Sequence, residues 1–203
     1  MCMEKTLWEK AVEFHGHVCP GLAIGYKVSE IALKKLGEMR STDEELVAVV
    51  ENDACGVDAV MVLTGCTLGK GNLIYRDLGK QVYTFGSRNS SRALRIAVNG
   101  EILHRSDPEI TELRKKVFGG TATPEEKYEF HTMMARRTEE ILRMPEEDFC
   151  KAEEVAFKLP KKARIFKSVR CAGCGEYVAE SRVRVNEGNY VCLDCYEDYT
   201  RGW

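Results

Sequence analysis

The spacing of hydrophobic positions predicts two amphipathic helices at the start of the chain. Over residues 4–16 the apolar side chains recur at roughly helical spacing. A second helix is predicted to begin at Pro20 and to stop at Gly37. Proline is favoured at the first position of a helix and glycine just past the last, so these two residues are start and stop signals.

Short apolar runs follow the two helices and predict a sheet. Residues 46–51 are expected to form a buried strand, and residues 56–65 a short helix. Three further strands are predicted at 72–77, 81–87 and 93–99. The segment 77–80 is predicted to be the hairpin turn between the first two of these strands.

Helical periodicity returns after Asp107 and continues to a change in composition. Three helices are predicted, and each opens with Pro followed closely by Glu, which suits the positive end of a helix: 108–118, 124–143 and 145–157. The next stretch, 158–170, holds six Lys or Arg residues and no acidic residue. We therefore predict an α+β core domain over 1–157, a basic linker over 158–169 and a small module over 170–203.

Composition and charge place the chain among soluble globular proteins. It has 203 residues, of which 31% are charged and 44% apolar, and its formal net charge is -2. This charge provides no strong field for nucleic acid or an acidic membrane. The longest apolar runs are far shorter than the roughly 20 residues of a spanning helix. Because the N-terminus shows no export signal, we expect a cytoplasmic protein with no membrane partner.

Cysteine content is the unusual feature of the composition. The chain has nine cysteines, and thiols in a reducing compartment are rarely paired in disulfides. Metal binding or thiol chemistry is the leading explanation for them.

Four of these cysteines have the spacing of a zinc finger. Cys171 and Cys174 form one CxxC pair, and Cys192 and Cys195 form another after 17 intervening residues. Two such pairs can supply four thiolates to one Zn²⁺, although four unrelated thiols are the alternative. A hairpin turning at 186–189 and a short helix from the second pair predict a treble-clef finger. The pairing also resembles DksA/TraR-type four-cysteine fingers.

The size and charge of the tail bear on what the finger does. About 36 residues cannot build a sufficient core, so we expect the zinc to hold the module together. Residues 168–203 carry four arginines against six acidic side chains. Since phosphate neutralisation supplies most non-specific affinity for nucleic acid, a structural or protein-contact role is favoured over nucleic-acid binding.

A second set of metal-competent side chains lies near the N-terminus. His15, His17 and Cys19 occupy alternate positions, and an extended segment would direct them to one side. Cys19 and Cys55 each directly precede a predicted helix, whose positive end favours a thiolate. We predict a metal site at His17, Cys19 and Cys55, with His15 as ligand or proton carrier. Structural histidines with core cysteines, or a cysteine nucleophile activated by histidine, are the alternatives.

A glycine-rich loop at 64–73 is the third candidate. Cys66 and Lys70 lie on it, and either a tight structural turn or a substrate-facing loop near the metal would explain its composition. The candidate catalytic residues are therefore His15, Cys19, Cys66 and Lys70. Cys2 and Cys150 have no evident partner.

Three ordered motifs over residues 8–150 resemble the FmdE-like family, the E-type subunits of formylmethanofuran dehydrogenase. They are FHGHVCPG, ENDACGVDAVMVLTGCTLGKGNL and DLGKQVYTF. The resemblance implies a thioredoxin-like α+β core, with a mixed sheet flanked by helices, that forms a homodimer. It also implies a site lined by His15, His17, Cys19 and Cys55, with the glycine-rich loop nearby.

Two functions from different classes follow. The first is a zinc-binding protein with a second zinc or other transition metal in its core, accessory to molybdenum or one-carbon (methanogenesis-type) enzymology within a larger system. The second is a non-enzymatic interaction or metal-delivery module that docks a partner through its finger and dimer surface. Whether the chain is itself an enzyme is left open by the sequence.

Overall fold

The computed structural model describes residues 4–104 and 108–201. The chain divides into two compact units, Met1–Lys162 and Ala163–Trp203. The helices of the first unit are α1 (Leu7–His15), α2 (Pro20–Leu36), α3 (Gly56–Thr64), α4 (Gly100–His104), α5 (Pro108–Phe118), α6 (Pro124–Arg143) and α7 (Glu146–Phe149). Its strands are β1 (Leu46–Val50), β2 (Leu73–Tyr75), β3 (Val82–Ser87), β4 (Ala93–Val98) and β5 (Cys150–Glu154).

These five strands form one mixed sheet, in the order β2-β1-β3-β4-β5. Strands β1 and β2 are parallel, and the other neighbours are antiparallel. All five residues of β1 are buried, as its apolar run predicted. The predicted α+β class, with a mixed sheet flanked by helices, is confirmed. The closer likeness to thioredoxin stays a prediction. None of the helices in the described ranges is both long and apolar enough to cross a membrane.

The predicted hairpin at 77–80 is wrong. Val50 of β1 pairs with Tyr75 of β2 on one side and with Tyr83 of β3 on the other, so β1 separates the two strands. A fully buried strand needs partners for its backbone groups on both edges, and β2 and β3 supply one edge each. The connecting segment is held to the end of β1, where the Lys80 amide donates to the Glu51 carbonyl at 2.9 Å.

The predicted helix over 145–157 is also wrong for most of its length. Only the four residues of α7 are helical, and the chain then continues as β5, in which Cys150 pairs with Val98 of β4. Without β5, the outer edge of β4 would leave its backbone groups unpaired, and this pairing overrides the helical pattern of the segment. Cys150 is a buried core residue, and Cys2 lies outside the described residues.

The crossing of α2 and α3 positions the start of both helices. A Cβ added to Gly25 would lie 1.9 Å from the carbonyl oxygen of Gly56, so the two backbones are almost in contact. Only glycine allows this approach. Because α2 begins after Cys19 and α3 after Cys55, the close crossing brings these two cysteines together.

The second unit contains two hairpins and little else. Strands β6 (Ser168–Arg170) and β7 (Tyr177–Ala179) form one, and β8 (Arg184–Asn186) and β9 (Asn189–Val191) form the other. The second hairpin is the one that the sequence predicted at 186–189. The predicted helix after Cys192 does not form: residues 193–195 are a turn, and no regular element follows through residue 201. So short a segment is a marginal helix without packing partners.

Candidate metal centres

The four cysteines of the second unit converge as their spacing predicted. Their sulfur atoms all lie within 4.8 Å of one another, and the sulfurs of Cys174 and Cys192 are 4.0 Å apart. Four sulfurs at the usual bond length around one Zn²⁺ would be separated by about 3.8 Å. The donor set and its spacing therefore fit a structural tetrahedral zinc.

Backbone donors and crowding of the thiols shape the electrostatics of this cluster. The amides of Gly173 and Cys192 donate to the Cys171 sulfur at 3.3 and 3.2 Å. Hydrogen bonds from the amides of Cys174 and Cys192 lower the pKa of Cys171 to about 6. The neighbouring thiols, Cys192 first, raise the pKa of Cys195 to about 12. Four thiolates at this distance repel one another, and a bound dication removes that repulsion.

A second group of donors is found in the first unit, formed by His15, Cys19 and Cys55. Their ligand atoms also lie within 4.8 Å of one another, and all three residues are partly buried. The Cys19 sulfur is 3.7 Å from Nε2 of His15. A nitrogen and a sulfur bound to the same tetrahedral zinc are separated by about 3.5 Å. The three residues therefore have the composition and spacing of an incomplete tetrahedral site.

Asp58 fixes the orientation of His15, and the sequence analysis missed it. Its Oδ2 atom lies 2.7 Å from Nδ1 of His15. A carboxylate there accepts the Nδ1–H and leaves Nε2 free to bind a metal, an arrangement common around metal-ligating histidines. The available signal was the position of Asp58, three residues after Cys55 in the first turn of α3.

Cys19 is the N-cap residue of α2, as predicted. The Leu22 amide donates to its sulfur at 3.4 Å. Burial raises the pKa of the Cys19 thiol, and the neighbouring Cys55 adds to the effect, although the Leu22 amide acts in the opposite direction. The expected thiolate-favouring effect of the helix end is thus outweighed in the metal-free chain. Cys55 directly precedes α3 but makes no capping hydrogen bond.

His17 lies beside the cluster rather than in it. The side chain is exposed, and its ring centroid is 4.4 Å from that of His15. The predicted alternation along an extended segment does not occur, because His15 is the last residue of α1. Gly16 then takes a left-handed conformation with φ 92°. The structure therefore groups His15, rather than the predicted His17, with the two cysteines.

Cys66 and Lys70 lie away from the cluster, at the opposite end of α3. The nine residues of this helix separate Cys55 from Cys66 by about 13 Å along its axis. Cys66 is fully buried in the main core, where burial raises the pKa of its thiol. Lys70 donates to the backbone carbonyls of Ser41, Thr42 and Asp43, with the shortest distance 2.9 Å. In this structure the glycine-rich loop is a tight structural turn, which was the alternative to a substrate-facing loop.

Comparison with known families identifies both parts of the chain. Residues 14–151 match the family described as FmdE, molybdenum formylmethanofuran dehydrogenase operon. The chain belongs to the FmdE family. Residues 164–201 match the prokaryotic DksA/TraR C4-type zinc finger, which includes all four cysteines of the second unit. The chain is therefore a zinc-binding FmdE-like protein.

Two relatives extend this assignment over nearly the whole chain. A probable S-adenosyl-L-methionine-binding protein of Archaeoglobus fulgidus is 38% identical over 196 residues, covering 94% of this chain and 52% of the relative. The chain thus spans about half the length of that protein. A crystal structure of an FmdE-like protein of tungsten formylmethanofuran dehydrogenase from Syntrophus aciditrophicus is 26% identical, with a TM-score of 0.59. The match covers 93% of this chain and 91% of the other.

Proposed function

We propose that the FmdE-like core binds zinc or another transition metal through His15, Cys19 and Cys55. The observation that carries this proposal is the convergence of three ligand atoms from three different segments, the end of α1 and the starts of α2 and α3. The glycine contact between α2 and α3 and the Asp58–His15 hydrogen bond both hold this arrangement. Neither is needed to bury an ordinary core cysteine.

Three protein ligands are typical of a catalytic rather than a structural zinc site. A metal with one position left open supplies a Lewis acid and a place for water or substrate. Asp58 holds the His15 ring with Nε2 towards the two sulfurs, and the Leu22 amide holds the Cys19 sulfur at the end of α2. The exposed His17 ring, stacked on His15, is close enough to exchange protons with a molecule at the site.

The proposed context is an accessory role beside molybdenum or tungsten enzymes of one-carbon metabolism. The description of the family and the name of the Syntrophus protein support this context. The S-adenosylmethionine binding named for the Archaeoglobus relative concerns a protein of about twice the length. A homodimer and docking of a larger enzyme stay predictions of the family resemblance.

The Asp58→Asn substitution tests the core site while leaving its three ligands intact. We expect the affinity for the core metal to fall by about 10–100-fold, because Asn cannot stabilise the Nδ1–H of a metal-bound His15 as a carboxylate does. The measurement is metal release to a chromophoric chelator, which follows the core metal and the finger zinc as two separate steps. Only the core step should shift.

Asp53→Asn is the matched control, since it removes an exposed carboxylate two residues before Cys55. It should leave both steps unchanged. Identical release curves for Asp58→Asn and the unaltered chain would contradict the proposed metal site.

A further inference from the structure

A large pocket lies next to the proposed metal site, within the first unit. Its volume is about 660 Å³, and its walls come from α2, α4, α5 and α6. Pockets that bind small molecules in proteins typically measure about 300–1,000 Å³. The pocket is therefore large enough for an organic molecule rather than for water or an ion alone.

The pocket reaches the two core cysteines through the start of α2. Pro20 and Gly21 line it. A Cβ added to Gly21 would lie 3.6 Å from the Cys55 sulfur and 3.9 Å from the Cys19 sulfur. Since Gly21 has no side chain, only its backbone lies between this part of the pocket and the two sulfurs. A molecule bound here would have one end beside the proposed metal.

Apolar side chains supply much of the lining. Ile24 of α2, together with Met133, Met134 and Ile141 of α6, faces the pocket. Methionine side chains adapt to irregular ligand shapes because they are unbranched and polarizable. This part of the pocket suits the hydrocarbon portion of a ligand.

Positive charge is in excess on the remaining wall. Arg114, Arg136 and Arg137 line the pocket, against the single carboxylate of Glu140. Arg136 and Arg137 share Glu140, with distances of 3.3 and 3.2 Å. Arg114 has no hydrogen bond or ion pair with any residue in the described part of the chain. Guanidinium groups match the geometry of carboxylates and phosphates, so the wall is suited to an anionic group.

We propose that this pocket binds an organic anion, a molecule with a hydrocarbon body and a carboxylate or phosphate group. The anionic group pairs with Arg114 and the neighbouring arginines, and the body lies against Ile24 and the methionines. That the other end reacts at His15, Cys19 and Cys55 rests on the proposed function; the binding itself does not. The pocket thereby defines the class of ligand that reaches the core site.

Displacement of a fluorescent probe tests this proposal on the full chain. The probe is 1-anilinonaphthalene-8-sulfonate, which combines an aromatic body with an anionic group, and the competitors are hexanoate, hexyl phosphate, hexylamine and hexanol. We expect one saturable site, from which hexanoate or hexyl phosphate displaces the probe far better than hexylamine or hexanol. The stronger of the two anions identifies the group that the arginines prefer. Equal displacement by hexylamine would overturn the proposal.

Two variants assign the binding to the pocket. Arg114→Gln should weaken binding of the probe by about tenfold, the effect of losing one charge-assisted hydrogen bond. Arg143→Gln, at an exposed position of α6 outside the pocket lining, should leave it unchanged. Met134→Trp should block the pocket and abolish binding. Unchanged probe binding by both Arg114→Gln and Met134→Trp would show that the probe binds elsewhere and would overturn the proposal.

Metal content separates this proposal from the proposed function. Arg114→Gln should keep the metal of the unaltered chain, and Cys19→Ala should keep the probe site. Probe binding in a chain that never carries a core metal would overturn the proposed function alone. A core metal without a saturable anion site would overturn the pocket proposal alone.

Discussion

Removal of its zinc is expected to unfold the C-terminal finger while the five-stranded sheet stays folded. The buried apolar cluster of this unit, within residues 163–201, consists of Cys171, Val191 and Cys192. Two of these three residues are zinc ligands, so little hydrophobic burial remains once the metal is lost. Structural zinc contributes about 10–16 kcal/mol to such modules, far more than two three-residue hairpins can supply.

Amide hydrogen exchange of the full chain measures this effect. After treatment with a chelator, the amides of β6–β9 should lose their protection, and added zinc should restore it. The amides of β1 and β4 are the internal control, because their protection depends on the core sheet. Protected hairpin amides in a sample whose finger is shown to be free of zinc would contradict this account.

The Gly25→Ala substitution is expected to destabilise the core and to disturb the proposed metal site together. The added Cβ would lie 1.9 Å from the carbonyl oxygen of Gly56, and a backbone atom cannot rotate away as a flexible side chain can. Overpacking of this kind costs about 1–3 kcal/mol. Elsewhere in a helix, the same substitution usually stabilises by up to about 1 kcal/mol, so even the sign of the change is informative. Separation of α2 from α3 would also move Cys19 away from Cys55.

Denaturant unfolding of the core and the chelator assay of its metal measure the two consequences. Gly69→Ala is the matched control, since a Cβ there meets no atom within 4 Å and the backbone needs no left-handed conformation. The control should leave stability and metal affinity nearly unchanged. A Gly25→Ala chain as stable as the control would show that the two helices can separate at no cost.

Local signals were sufficient for the elements that surround the site. Pro20 and Gly37 marked the ends of α2 because capping preferences depend only on neighbouring residues. The four cysteines of the finger were likewise evident, since the CxxC spacing itself brings two sulfurs to one metal. These features could be predicted without knowledge of which segments pair in space.

Non-local contacts account for what the sequence could not predict. Residues 150–154 became a strand because β4 had a free edge, and β2 and β3 were separated because β1 lies between them. The hydrogen bond between His15 and Asp58 joins residues 43 positions apart, so periodicity gives no sign of it. His17 was favoured over His15 as a ligand because the sequence pattern did not show that α1 extends as far as His15.

The amount of metal per chain tests the central claim, a metal bound by His15, Cys19 and Cys55, most directly. Elemental analysis of the full chain should give two metal ions per chain, one in the finger and one in the core. Cys19→Ala should reduce this to one, whereas Cys66→Ala should leave two, because Cys66 is buried at the far end of α3. One metal ion per chain in both the unaltered protein and Cys19→Ala would leave only the finger zinc and contradict the core site.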